Sequence, residues 1–138
     1  MLDCLILGDS IAIGTKKFYN ECNLVARANI NSQQFNKKFP TIFKSQHVII
    51  SLGTNDLRTI NTFKELLILR NRIDADSVTW LLPACNDKFC KSHINEIIEI
   101  IAKNKGDHII KTNKLQSDKI HPSWAGYKEI VNQHKHGK

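Results

Sequence analysis

Short apolar-centred runs alternating with helical stripes predict an α/β protein, a three-layer α/β/α sandwich built on a parallel sheet. Residues 3–8, 47–52, 77–83 and 107–112 supply the first observation. Each is short and closes in Gly or other turn-forming chemistry, the pattern of strands covered on both faces. A weaker strand fits 23–28. The second observation is the spacing between those runs. Ile94, Ile97, Ile98 and Ile101 fall at i, i+3, i+4 and i+7 on one helix face. Phe63, Leu66 and Leu67 begin a similar stripe after the start signal Asn61-Thr62. Trp124, Tyr127 and Val131 give the last helix an apolar side, with Ser123 as its N-cap.

The 138 residues suit one domain spanning 1–138. A chain of that size buries roughly two-thirds of its unfolded surface. No apolar stretch approaches the roughly 20 residues that cross a bilayer. The first apolar run has no basic segment before it and leads straight into a motif, so it reads as a strand rather than a signal peptide. The expectation is a cytoplasmic protein without membrane contact, with secretion through a removed leader left open. Net charge is +7, from 20 Lys+Arg against 13 Asp+Glu, but the basic residues are scattered in ones and twos. A nucleic-acid binder more often shows a stripe or cluster with interleaved aromatics. No nucleic-acid partner is therefore expected.

Cys4, Cys22, Cys85 and Cys90 form no Cys-x-x-Cys pair. Cys4 lies in a predicted buried strand, where a free thiol packs as a small apolar group. Cys85-x4-Cys90-x2-His93 has an unusual spacing for zinc and lacks an evident fourth ligand. No metal and no cofactor are expected. Reduced thiols are the default for a cytosolic chain, and a Cys85–Cys90 loop disulfide is the alternative in an oxidising compartment.

Chemistry gathers outside the C-terminal ends of the strands in such open sheets. Four polar segments fall there. Gly8-Asp9-Ser10 follows the first strand, Asn29–Ser32 the second, Gly53-Thr54-Asn55-Asp56 the third, and Asp118-Lys119-Ile120-His121-Pro122 the fifth. A serine hydroxyl needs a base to take its proton. His121 is the best base among six histidines, because Asp118 stands three residues before it on a tight segment. A carboxylate there can fix the imidazole by accepting from Nδ1–H, leaving Nε2 for Ser10. His47, His93, His108, His134 and His136 have no comparable acid in a matching loop. Asn55 can aim its amide at the rim, where acyl transfer develops negative charge. The backbone N–H groups of Ser10 and of the second-strand loop would complete that oxyanion hole. Residues 84–93, with Cys85, Phe89 and Cys90, read either as one wall of the substrate pocket or as a surface loop.

These four blocks resemble the SGNH hydrolase superfamily, the GDSL-type esterases and lipases, over nearly the whole chain. The resemblance implies a flavodoxin-like parallel sheet of about five strands. It also implies Ser10 as nucleophile, His121 as base, Asp118 as orienting acid and Asn55 as oxyanion donor. Asp9 would be mainly structural, and Asp56 a turn or supporting residue. One departure stands out. The second block of that family supplies a glycine N–H to the oxyanion, whereas this loop reads Ala28-Asn29-Ile30-Asn31-Ser32. Either Asn29 or Ser32 takes that place, and Asn tolerates positive φ better than most residues.

The expected function is a metal-independent serine esterase acting on a small-molecule or carbohydrate acyl ester. Short acyl groups, such as O-acetyl on carbohydrate, suit a chain with few residues for a lid or acyl tunnel. The alternative is a non-catalytic glycan- or protein-binding module on the same fold. The sequence leaves oligomeric state open. Gly-x-Ser-x-Gly, dinucleotide-binding and P-loop motifs are absent.

Overall fold

The computed structural model describes residues 3–136. The chain runs β1 (Cys4–Gly8), α1 (Ser10–Lys17), β2 (Cys22–Ala26), α2 (Ser32–Lys38), β3 (Phe43–Lys44) and β4 (His47–Ser51). It continues through α3 (Thr62–Asn71), β5 (Ile73–Asp74), β6 (Ser77–Leu82), α4 (Ser92–Lys105), β7 (His108–Lys111) and α5 (Trp124–His136). Five strands form one parallel sheet in the order β2-β1-β4-β6-β7. The predicted parallel sheet is observed, in the flavodoxin-like order. The two-residue strands β3 and β5 pair separately. They carry too few residues for a readable period, and the sequence did not disclose them.

Alternation along the strands assigns the layers. Ile6, Ile49, Leu81 and Ile110 face one side, with Ile11 and Ala12 of α1 and Tyr127, Ile130 and Val131 of α5. Leu7, Val48, Ile50, Val78, Trp80 and Leu82 face the other, with Phe35 of α2, Leu66 and Leu69 of α3, and Ile94, Ile98 and Ile101 of α4. Successive strand residues point to opposite faces, so central strands covered by helices on both sides must be apolar throughout. Trp80 is fully buried, and its indole N–H donates to Asp107, 2.9 Å away. Arg70 clamps the same carboxylate bidentately at 2.8 and 2.9 Å, tying α3 to the start of β7.

Three expectations are corrected. Cys4 is not a free thiol: it is joined to Cys22, and Cys85 to Cys90, leaving no free cysteine among the described residues. The parallel register sets Cys4 beside Cys22 with Cα atoms 4.5 Å apart, a neighbourhood only strand pairing reveals. The second bridge is the loop disulfide weighed from the sequence, and it removes both thiolates from any zinc reading. Phe63 is exposed, because α3 turns Leu66 and Leu69 inward instead. Trp124 is also exposed, at 77%, while Tyr127, Ile130 and Val131 carry the apolar side of α5. No helix among the described residues is long and apolar enough to cross a membrane.

Candidate active site

Gly8, Ala26, Ser51, Leu82 and Lys111 end the five sheet strands at one rim, and the segments that follow them build the site. The turn out of β1 needs its glycine. Gly8 has φ +144°, and a Cβ there would overlap the Ser51 carbonyl oxygen on β4. Asp9 then caps α1, accepting from the Ile11 N–H at 3.1 Å and the Ser51 hydroxyl at 2.9 Å on the same oxygen. Burial pushes its carboxyl up to about 6, against the hydrogen bonds from Ser51, Ile11 and Ala12. Asp9 thus joins the start of α1 to the end of β4. Ser10 is the first residue of α1, a position whose N–H has no acceptor within the helix.

The segment between β7 and α5 carries the base. Its turn is closed by Gln116 N–H to His121 O at 2.7 Å and Lys119 N–H to Gln116 O at 3.0 Å. Lys119 sits at φ +61°, a left-handed residue that makes the turn tight. Inside it, Asp118 Oδ1 accepts from the Ile120 and His121 N–H groups at 2.9 and 3.0 Å, while Oδ2 lies 2.7 Å from His121 Nδ1. Desolvation would raise the Asp118 carboxyl, but those two N–H groups and the His121 ring outweigh it and hold it down at about 2. With Nδ1–H donated to the carboxylate, Nε2 is the acceptor, and it stands 3.0 Å from Ser10 Oγ. Ser123, next to Pro122, caps α5 by accepting from Gly126 N–H at 3.2 Å. The Ser10 hydroxyl, 108 residues before Asp118 in sequence, joins the imidazole and the carboxylate in one line of hydrogen bonds.

The other two segments meet through Asn55, whose amide donates to Ile30 O at 3.1 Å. One of its two hydrogens is so engaged, and the second is available to an incoming oxygen. Gly53, at φ +113°, presses the turn against Ile94 of α4, where a Cβ would collide. The choice between Asn29 and Ser32 is narrowed by the structure. Ser32 N–H and Oγ both donate to Asp56, at 2.8 and 2.5 Å, so the Ser32 N–H is taken and is corrected as a donor candidate. Asn29 has φ +64° and is exposed. Asp56 is buried and also accepts from Thr62 at 2.7 Å, so it ties β4's turn to the starts of α2 and α3. Beside Asn29 lies a hollow of about 540 Å³ lined by Arg27, Ile30, Gln34, Lys37 and Lys38.

Sequence reasoning missed two side chains that grip this site. Asn86 donates through Nδ2 to Lys119 O at 2.9 Å. Lys91 donates to Thr54 O and Asp56 O at 2.9 and 2.8 Å. Both belong to the loop after β6, and an Asn-Asp pair or a lone lysine in a loop carries no signal of its target. A larger cavity of about 720 Å³ lies at the other pole, against the N-terminal ends of β4, β6 and β7. It gathers His47, His108, His134 and His136.

No protein-family model matches the chain, and neither does any curated protein. Solved structures do. A candidate acylhydrolase of Bacteroides fragilis superposes with a TM-score of 0.71 at 17% identity, covering 97% of this chain and 85% of that one. A GDSL-like lipase of Bacteroides thetaiotaomicron gives 0.66 at 19% identity, over 95% and 86%. An acetylxylan esterase of Geobacillus stearothermophilus gives 0.62 at 12% identity, over 95% and 91%. At such identities the likeness establishes the fold alone, the α/β/α sandwich that the chain shares with these structures.

Proposed function

We propose that the chain is a serine ester hydrolase in which Ser10, His121 and Asp118 act as nucleophile, base and orienting acid. The observation that carries the proposal is the unbroken line from Ser10 Oγ to His121 Nε2 at 3.0 Å and from Nδ1 to Asp118 Oδ2 at 2.7 Å. Ser10 attacks the ester carbonyl while His121 takes its proton. The carbonyl oxygen, now an oxyanion, accepts from the Ser10 N–H, the Asn55 amide and the Asn29 N–H. His121 then protonates the departing alcohol, leaving acyl-Ser10. A water attacks that ester with His121 again as base, releasing the acid and restoring the serine.

The substrate we propose is a short-chain ester, with O-acetyl groups on carbohydrate as the leading class. The hollow beside Asn29 is an open one in which Arg27, Gln34, Lys37 and Lys38 accompany Ala28 and Ile30, rather than an apolar tunnel. Trp124, exposed three residues after His121 in sequence, offers a flat apolar face suited to a sugar ring. An acetylxylan esterase shares the fold. The two disulfides suit an oxidising working environment better than the reducing cytosol expected from the sequence.

The test is turnover of p-nitrophenyl acetate together with labelling by a fluorophosphonate. Wild type should turn over and label at Ser10, and Ser10→Ala should do neither while melting normally. Equal turnover by both proteins, or a wild type that never labels, would discard the hydrolase reading in favour of a binding module.

A further inference from the structure

The loop after β6 reaches both halves of the site at once, and its two grips lie five residues apart. Asn86 holds the Lys119 carbonyl, in the peptide chain between Asp118 and His121. Lys91 holds the Thr54 and Asp56 carbonyls, one on each side of Asn55. Between them the loop is closed on itself. Cys85 is disulfide-bonded to Cys90, the same residues form an antiparallel bridge, and the Asn86 N–H donates to Phe89 O at 2.8 Å. The Asn86 side chain faces both ways. Its Oδ1 accepts from the Lys88 and Phe89 N–H groups at 2.9 and 3.0 Å, and its Nδ2 is thereby aimed at Lys119.

We propose that this disulfide-closed segment, residues 85–91, is a strut that sets the separation between the imidazole of His121 and the oxyanion donor Asn55, with Asn86 and Lys91 as positioning residues. The inference rests on the hydrolase reading above and deepens it. The physical need is plain. His121 rides on an exposed turn whose internal bonds orient the ring relative to Asp118 but not relative to β4. Asn55 is fixed to the β2 loop, on the other flank. Ser10 Oγ offers the imidazole a single rotatable contact. Asn86 anchors the imidazole turn from outside. Lys91 fixes the peptide units around Asn55 with two charge-assisted bonds, stronger than neutral ones. The Cys85–Cys90 bond keeps the two anchors from drifting apart.

Three variants test it, each assayed with p-nitrophenyl acetate. Asn86→Asp keeps the oxygen that closes the loop and removes the N–H that reaches Lys119. Lys91→Met keeps the stem and removes the charge. Cys85→Ser with Cys90→Ser opens the loop. Each should lower kcat roughly 10- to 100-fold with KM changed by less than about threefold, because misplaced groups cost the transition state rather than binding. Asn86→Asp in the opened loop should add no further loss, since both changes cut the same anchor. A readout independent of turnover is the ring nitrogen signal of His121 Nε2, the atom that faces Ser10 Oγ across the gap the strut sets. It should shift in Asn86→Asp and in the opened loop, yet hold its position in Lys91→Met, which acts on the other flank. Wild-type kcat in Asn86→Asp and Lys91→Met, or an unchanged His121 signal in Asn86→Asp, would overturn the strut while leaving the hydrolase intact. Loss of the hydrolase reading itself appears separately, as a wild type that neither turns over nor labels, and the Nε2 signal then still decides the strut.

Discussion

Asp118 grips His121 at two points, its Oδ1 accepting the His121 backbone N–H at 3.0 Å while its Oδ2 meets the ring Nδ1 at 2.7 Å. A carboxylate does this as a pure acceptor, so the ring tautomer follows from the geometry. Asp118→Asn can keep the Oδ1 bonds, but it presents an N–H2 donor to Nδ1. The ring then flips to the tautomer that carries its proton on Nε2, pointing at Ser10 and unable to accept. The expected outcome is kcat lower by about 10² to 10⁴, with KM little changed and the unfolding midpoint shifted modestly. Steady-state kinetics at saturating short-chain ester checks it, and a loss below about tenfold would mean that Asp118 only shapes the turn.

Asn55 is the side chain on which the oxyanion assignment turns. One amide hydrogen goes to Ile30 O, which fixes the direction of the other. Asn55→Ala should cost about 10² to 10³ in kcat, typical of one preorganised donor, and leave KM nearly unchanged. Asn55→Asp should be at least as damaging, because it aims a negative charge where negative charge develops. Acyl-enzyme formation measured by the p-nitrophenolate burst separates this from a defect in water attack. A normal burst rate in Asn55→Ala would remove Asn55 from the oxyanion hole.

The line from Ser10 through His121 to Asp118 was legible in the sequence because Asp118 and His121 share one short segment, and because strand–helix alternation brings that segment and Ser10 to the same rim. The buried strands were legible for a similar reason, since Val48, Ile49 and Ile50 are apolar without alternation only if both faces are covered. What the sequence withheld depends on register or on single bonds. Cys4 and Cys22 are partners only through the β1–β2 pairing, and neither sequence position points to the other. The Ser32 N–H lost its candidacy to one carboxylate 24 residues away. Phe63 and Leu66 are both apolar, and only packing of α3 against α2 and α4 decides which faces inward. Asn86 and Lys91 act through carbonyl oxygens, which have no side-chain signature at all.

Asp56 should matter to stability more than to chemistry. It is 2% exposed and collects the Ser32 N–H, the Ser32 hydroxyl and the Thr62 hydroxyl. Asp56→Ala leaves three buried donors without an acceptor, at roughly 1–3 kcal/mol for each that water cannot reach. The expected loss is about 3 kcal/mol or more, read by urea unfolding with an unchanged m-value. Asp56→Asn retains one oxygen and should lose about half as much. A loss under about 1 kcal/mol in Asp56→Ala would show that the turn repairs itself with solvent.

Asp9 gives the fold a pH dependence opposite to that of a salt-bridged carboxylate. Burial holds its carboxyl up at about 6, whereas the unfolded chain carries it at 3.8. As pH rises past 4 the unfolded state releases this proton first, while the folded state keeps it until about 6. The folded state therefore binds more protons in that window, and stability falls with rising pH across it before levelling above about 6. The size of the fall is about 3 kcal/mol, at 1.36 kcal/mol per pH unit between the two values, 3.8 and about 6. Asp9→Asn removes the titration while its Oδ1 can still accept from Ile11 and Ser51, the two bonds that cap α1 and join it to β4. The free energies of unfolding of wild type and Asp9→Asn, measured from pH 4 to 7, should diverge in the variant's favour as pH rises. Other titrating groups are common to both proteins and drop out of the difference. A gap that stays flat over that range would mean the Asp9 carboxyl ionises in the folded protein as readily as in the unfolded one, with solvent reaching the oxygen opposite Oδ1.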